Sequence, residues 1–160
     1  QIMELSKLFD KELVFCLTAK SQEELFYQVA DLLEERKIVN PSYKEALIKR
    51  EQSFPTGLDM EFLGKDLPNV AIPHTDIEHN LTENVVVVKL EQPVTFHNMI
   101  APAQTVSVSL LFFIINHSSS SQTNILAQLM DFFTSQGNLA ELAKCNTDED
   151  LFHYISTVIK

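Results

Sequence analysis

Apolar positions change their spacing several times along this chain, and each change marks an element. Leu13 to Leu17 is a run of adjacent apolar residues and predicts a short strand. From Ser21 the spacing opens to that of a helix, "SQEELFYQVADLLEERK", with Leu25, Val29, Leu32 and Leu33 on one face. Ser21 suits the N-cap, and Glu24 stands three residues on, the arrangement of a capping box. A second helix is predicted after Asn40, with Pro41 in its first turn. Tyr43, Ala46, Leu47 and Ile48 lead to Arg50 and Glu51 near its end, and Phe54-Pro55-Thr56-Gly57 breaks it.

Leu58 to Leu67 carries no period and reads as irregular. Asn69 to Ile72 is a candidate strand ended by Pro73. Asn84 to Leu90 is the clearest strand: its four consecutive valines are stiff at χ1 and suit a sheet buried on both faces. Residues 94–96 predict a further short strand. Thr105 to Ile115 alternates at first and then becomes wholly apolar, as a core strand does. Asn116 to Ser121 is a polar loop. Gln122 to Ser135 reads as a helix with Ile125, Leu126, Leu129, Phe132 and Phe133 inward. A short helix is predicted over Asn138 to Lys144. The last helix follows Asn146-Thr147, with Leu151, Tyr154, Ile155 and Val158 inward.

Helices come before, between and after strands, and two strands read as buried on both faces. That order predicts an α/β (α+β) fold, a single domain over residues 1–160 with a mixed β-sheet flanked by helices on both faces. Strands 84–90 and 105–115 lie too close in sequence for a crossover helix, so the sheet is not purely parallel.

Composition narrows the function classes. Hydrophobic residues make up 45% of 160, enough for a normal core. The net charge is −10, from 12 basic and 22 acidic residues, which argues against a nucleic-acid binder. No apolar run is long enough to span a bilayer, and no basic-then-apolar leader opens the chain. A soluble, cytoplasmic protein with no direct membrane insertion is expected. Cys16 and Cys145 form no metal or redox motif, and Cys16 is expected to be a core thiol.

Candidate chemistry centres on "NVAIPHTDIEHN", Asn69 to Asn80. Pro73 ends a strand and fixes the backbone, so His74 leaves the sheet edge in a defined direction. Ligand sites of α/β proteins gather at such strand ends. A bland role stands beside this, a half-buried imidazole satisfied by a carbonyl. His79, next to acids, reads as a solvated turn, and His97 as a loop residue. His117 opens the polar loop after a core strand, and His153 lies exposed on the last helix.

Three chemistries could use His74. A hydrolytic metal could take His74, Asp76 and Glu78 if the chain stays extended, but no HExxH motif or cysteine pair supports it. A serine triad lacks its Gly-x-Ser-x-Gly elbow, and the serines at 118–121 read as an ordinary loop. Third, a neutral imidazole can itself accept a phosphoryl group. That needs its other ring nitrogen held by an acceptor, and a cation for the phosphate oxygens. Arg50, just before the helix break, is the candidate cation, although a helix-end arginine also interacts favourably with the helix dipole.

"ALIKREQSFPTGL", Ala46 to Leu58, followed by "NVAIPH", resembles the enzyme IIA domain of the bacterial sugar phosphotransferase system, fructose/mannitol class. "VSVSLLFFII" and "ILAQLMDFF" resemble that family's later core strand and helix, so the likeness covers nearly the whole chain. The resemblance implies that His74 is phosphorylated by the phosphocarrier HPr and passes the group to a cysteine of enzyme IIB, beside the membrane enzyme IIC. It implies that Arg50 faces the phosphoryl oxygens and that Thr56 matches the family's Thr-Gly turn. One departure concerns a second histidine at the start of the helix after the core strand. Here Gln122 stands in its place, a hydrogen-bond donor that cannot become cationic. That glutamine and "REQSFPTGL" look closer to the galactitol-type branch. His117 lies five residues earlier as a less favoured substitute.

Phosphoryl transfer requires mainly positioning and charge stabilisation, supplied on this reading by His74, Arg50, Gln122 and Thr56, with no cofactor or metal. Ile77, Phe54 or Leu58 is expected to form an apolar rim for transient docking. A regulatory domain that signals through His74 phosphorylation, and the metal-dependent hydrolase, remain the alternatives.

Overall fold

The computed structural model describes residues 4–118 and 120–159. Five strands form one mixed sheet: β1 (Val14–Leu17), β2 (Gly57–Leu58), β3 (Asn69–Ala71), β4 (Asn84–His97) and β5 (Thr105–Ile115). Their spatial order is β1-β4-β5-β3-β2. The pairs β1–β4 and β3–β5 are parallel, while β4–β5 and β2–β3 are antiparallel. The helices are α1 (Gln22–Glu35), α2 (Tyr43–Ser53), α3 (Gln122–Thr134), α4 (Asn138–Lys144) and α5 (Asp148–Val158). The mixed sheet with helices on both faces is the architecture the apolar pattern predicts.

Both faces of the central strands are buried because successive side chains alternate. Val86, Val88, Leu111, Phe113 and Ile115 pack with Leu25, Phe26, Val29 and Leu33 of α1 and with Tyr43 and Leu47 of α2. Val85, Val87, Leu110, Phe112 and Ile114 face the other way, against Ile125, Leu129, Phe132 and Phe133 of α3 and the inner faces of α4 and α5. Each fully buried aliphatic or phenyl side chain contributes about 1.5–3 kcal/mol, so this double burial fixes the sheet. Ser21 caps α1 by accepting the Glu24 amide at 3.1 Å. Thr147 caps α5 by accepting that of Asp150 at 3.0 Å.

Several local expectations are corrected. Residues 84–90 and 94–96 are one strand, β4, interrupted by a bulge between Lys89 and Val94. Pro93 sits in that bulge, where a missing amide donor does least harm. The stretch Leu58 to Leu67, expected to be irregular, holds the second residue of the edge strand β2 and a 3₁₀ turn at Glu61–Leu63. Pro41 precedes α2, which begins at Tyr43. His97 is the last residue of β4 and not a loop residue. Cys16 is only half-buried, and Val158 is exposed. Leu58 is buried, so it forms no rim. The loop 116–121 and its serine run include residue 119, which lies outside the described residues.

Candidate functional site

Strand β3 stops at Ala71, opposite Leu111, while its parallel partner β5 runs on to Ile115, and the chain leaves β3 through Ile72-Pro73-His74. Pro73 has no amide to give, but its carbonyl accepts the Ile114 N–H at 3.0 Å, and His74 bridges to Ile114. The histidine therefore stays registered with the sheet after the strand has ended. Its Nδ1 lies 2.8 Å from the Ile72 carbonyl. A carbonyl only accepts, so Nδ1 carries the proton and Nε2 keeps a free lone pair. His74 is 7% exposed. Burial holds its pKa below 6.5; the Ile72 carbonyl and Asp76 act against this, and the Arg50 charge acts with it. The ring is thus neutral and nucleophilic at neutral pH.

A shallow concavity of about 200 Å³ surrounds the imidazole, lined by Arg50, Ser53, Phe54, Pro55, Thr56, His74, Met99 and Pro102. Arg50 lies in the last turn of α2, with its guanidinium carbon 4.4 Å from the centre of the Phe54 ring. One terminal nitrogen lies 3.7 Å from Asp76 Oδ1, a long ion pair. Its Nε is buried with no hydrogen-bond partner among the described residues. A stacked guanidinium with an unused donor is prepared to meet an anion. Phe54 is exposed, and Ile77 is at the surface nearby in sequence.

Thr56 is 2% exposed, and its hydroxyl and amide both donate to Glu51, each at 2.7 Å. Gly57 follows because a Cβ there would stand 2.7 Å from the His97 carbonyl oxygen. The turn between α2 and β2 is thereby pressed against the end of β4. Gln122 is the first residue of α3, part-exposed, and is not among the residues lining the concavity. His117 is half-exposed, with Nδ1 3.9 Å from Glu83 Oε1. His79 faces Ser42, 2.8 Å from its Oγ. His153 is exposed on α5.

The metal constellation does not assemble. Residues 77–79 form a 3₁₀ turn, so the chain does not stay extended beyond Asp76. Asp76 faces Arg50, Glu78 is exposed, and no three His, Cys, Asp or Glu side chains converge among the described residues.

Met99 and Pro102 are lining residues that sequence reasoning missed. They belong to the β4–β5 connection, whose return to the site depends on strand pairing that no local pattern reveals. This connection is firmly tied. Asn98 Oδ1 accepts the amides of Ile100 and Ala101 at 2.8 and 3.2 Å, and His97 Nδ1 donates to the Pro102 carbonyl at 2.9 Å. It carries Ile100, 86% exposed.

A family model described as "Phosphoenolpyruvate-dependent sugar phosphotransferase system, EIIA 2" matches residues 7–158. Among solved structures, PTS IIA (PtxA) from Streptococcus mutans is 24% identical with a TM-score of 0.74, over 97% of this chain and 94% of that one. The mannitol-specific cryptic phosphotransferase enzyme IIA CmtB from Escherichia coli is 20% identical with a TM-score of 0.73, over 97% and 99%. A complex of enzyme IIAMTL with phosphorylated enzyme IIBMTL from Escherichia coli is 18% identical with a TM-score of 0.71, over 93% and 97%. A search of curated protein sequences returned no match. No helix among the described residues is long and apolar enough to cross a membrane. Matched from residue 7 to 158, the chain belongs to the EIIA type 2 family and is a phosphoryl-relay component of a sugar phosphotransferase system, working through a phosphohistidine.

Proposed function

We propose that His74 is the residue phosphorylated, that the donor is phospho-HPr, and that the acceptor is a cysteine of enzyme IIB serving a membrane enzyme IIC. The observation that carries this is the Nδ1–H donated to the Ile72 carbonyl at 2.8 Å, which leaves Nε2 as the free nucleophile beside Arg50. Nε2 attacks phosphorus in line. The bond from phosphorus to the donor atom breaks, and its electron pair stays with the donor. The second transfer runs the same way, with the cysteine thiolate attacking and the N–P electron pair returning to Nε2. Arg50 neutralises the charge on the moving oxygens, where a positioned cation is most effective. Thr56 forms part of the wall beside His74, while Gln122, outside the lining of the concavity, would have to reach a phosphoryl group from the start of α3.

Exposed Phe54, Ile77, Met99 and Ile100 supply an apolar surface suited to two partners docking in turn. The complex of the related IIAMTL with phosphorylated IIBMTL supports the second step. A cytoplasmic location follows from these partners. Gln122 in place of a second histidine, with "REQSFPTGL", favours the galactitol-type branch.

The test is incubation with phosphoenolpyruvate, enzyme I and HPr, then mapping of acid-labile phosphate. Label is expected on His74, and none on His74→Ala. Full labelling of that folded variant would overturn the assignment.

A further inference from the structure

The buried stripe of α2 runs Tyr43, Leu47, Glu51, each four residues apart. Its third position is a carboxyl where spacing calls for an apolar side chain. Glu51 is 5% exposed, and ionised carboxylates are seldom buried without a specific return. Both of its oxygens go to one residue: Oε2 accepts the Thr56 amide and Oε1 the Thr56 hydroxyl. Thr56 in turn accepts the Ile72 N–H on its carbonyl at 3.2 Å. The Ile72 carbonyl accepts Nδ1–H of His74 at 2.8 Å. Hydrogen bonds joined through the backbone of Thr56 and Ile72 thus connect the Glu51 carboxyl to the imidazole.

The same clamp closes the turn that carries Phe54, on which the Arg50 guanidinium rests. Glu51 itself does not line the concavity around His74. It lines the neighbouring one, with Gln22, Gln52, Ser53, Pro55, His97 and Pro102. Its action on His74 therefore runs through Thr56 and Ile72.

We propose that Glu51 is a positioning residue for phosphoryl transfer: by clamping Thr56 through two hydrogen bonds, it fixes the Ile72 carbonyl that holds His74 Nδ1–H and the turn that seats Arg50. The inference rests on His74 being the phosphoryl acceptor. Glutamine should serve in the same place. Its Oε1 accepts the Thr56 amide and its Nε2 donates to Thr56 Oγ1, so both bonds survive without charge. Alanine removes both.

The experiment compares wild type, Glu51→Ala, Glu51→Gln and Thr56→Val, each first checked for a cooperative unfolding transition. Two readouts are taken: steady-state phosphoryl transfer from phospho-HPr, and ¹⁵N shifts of the His74 ring. In wild type, Nδ1 gives the protonated signal and Nε2 the unprotonated one. Glu51→Ala is expected to average the two signals and lower kcat roughly 10-fold or more, with KM changed less than kcat because Ile77, Met99 and Ile100 of the docking surface lie outside the clamped turn. Glu51→Gln is expected to restore both readouts. Thr56→Val, which loses one of the two bonds, serves should Glu51→Ala not fold, and is expected to fall between alanine and wild type. Wild-type kcat with unaveraged ring signals in folded Glu51→Ala or Thr56→Val would overturn the proposal. Failure of the phosphoryl-acceptor reading is separately visible, as wild-type protein that takes no label on His74, while the ring signals still report the clamp.

Discussion

Replacing Glu51 by glutamine should change how stability depends on pH, and the size follows from the burial of the carboxyl. Desolvation raises its pKa from 4.5 to about 7, against the lowering effect of the Thr56 bonds and the His97 charge. Between those values the folded protein retains a proton that the unfolded chain has released. The folded state binds more protons there, so the unfolding free energy falls as pH rises. The stabilisation is complete below about pH 4.5 and gone above about pH 7. A shift of this size corresponds to about 3 kcal/mol. Glutamine has nearly the same shape and cannot titrate. The difference in unfolding free energy between wild type and Glu51→Gln should therefore move by about 3 kcal/mol across this window, with wild type losing ground as pH rises. His74 has the opposite sign, because its pKa is lowered, but it is present in both proteins and cancels in the difference to first order. Urea unfolding followed by circular dichroism at several pH values between 4.5 and 7.5 measures the quantity directly. Parallel stability curves for the two proteins would refute the reasoning and show a carboxyl that stays ionised throughout.

Other consequences are open to measurement. Arg50→Lys should slow transfer by on the order of 100-fold while weakening partner docking far less, because a point charge replaces a planar fork stacked on Phe54; equal losses in rate and docking would contradict this. Gly57→Ala should destabilise by about 1–3 kcal/mol, since the new Cβ meets the His97 carbonyl at 2.7 Å, read as a lower denaturation midpoint. His74 should accept phosphate at a rate limited by its own protonation only below pH 6.5, because burial lowers its pKa from that value; a pH–rate profile whose acid limb has its midpoint above 6.5 would argue against the neutral, Nδ1-protonated ring.

Much of the fold was legible because the elements announce themselves by period. The valine run of β4 and the apolar second half of β5 are buried on both faces, as continuous apolar strands should be. In sequence β4 looks like two strands because Pro93 and the exposed residues before it resemble a boundary, whereas the pairing with β5 resumes beyond the bulge. β2, two residues long, carries no period to detect. At the candidate site, Pro73 points to His74 and the helix break to Arg50, because these effects are local in the backbone, whereas Thr56 is singled out only by resemblance to the family's Thr-Gly turn. Met99 and Pro102 arrive through tertiary pairing. Glu51 gave a faint signal, an acid at the third place of a buried stripe, whose meaning depends on Thr56 folding back five residues later.

The acceptor that holds His74 Nδ1–H is a main-chain carbonyl. No side-chain replacement deletes that atom, so the proton's place on the ring is inherited with the strand and its proline, whatever residue stands at position 72. A carboxylate in direct contact with the ring would be removed by one substitution; here a change at position 72 leaves the acceptor in place. The tautomer then depends on what keeps that carbonyl still, the pairing of β3 with β5 and, on the proposal above, the Glu51–Thr56 clamp.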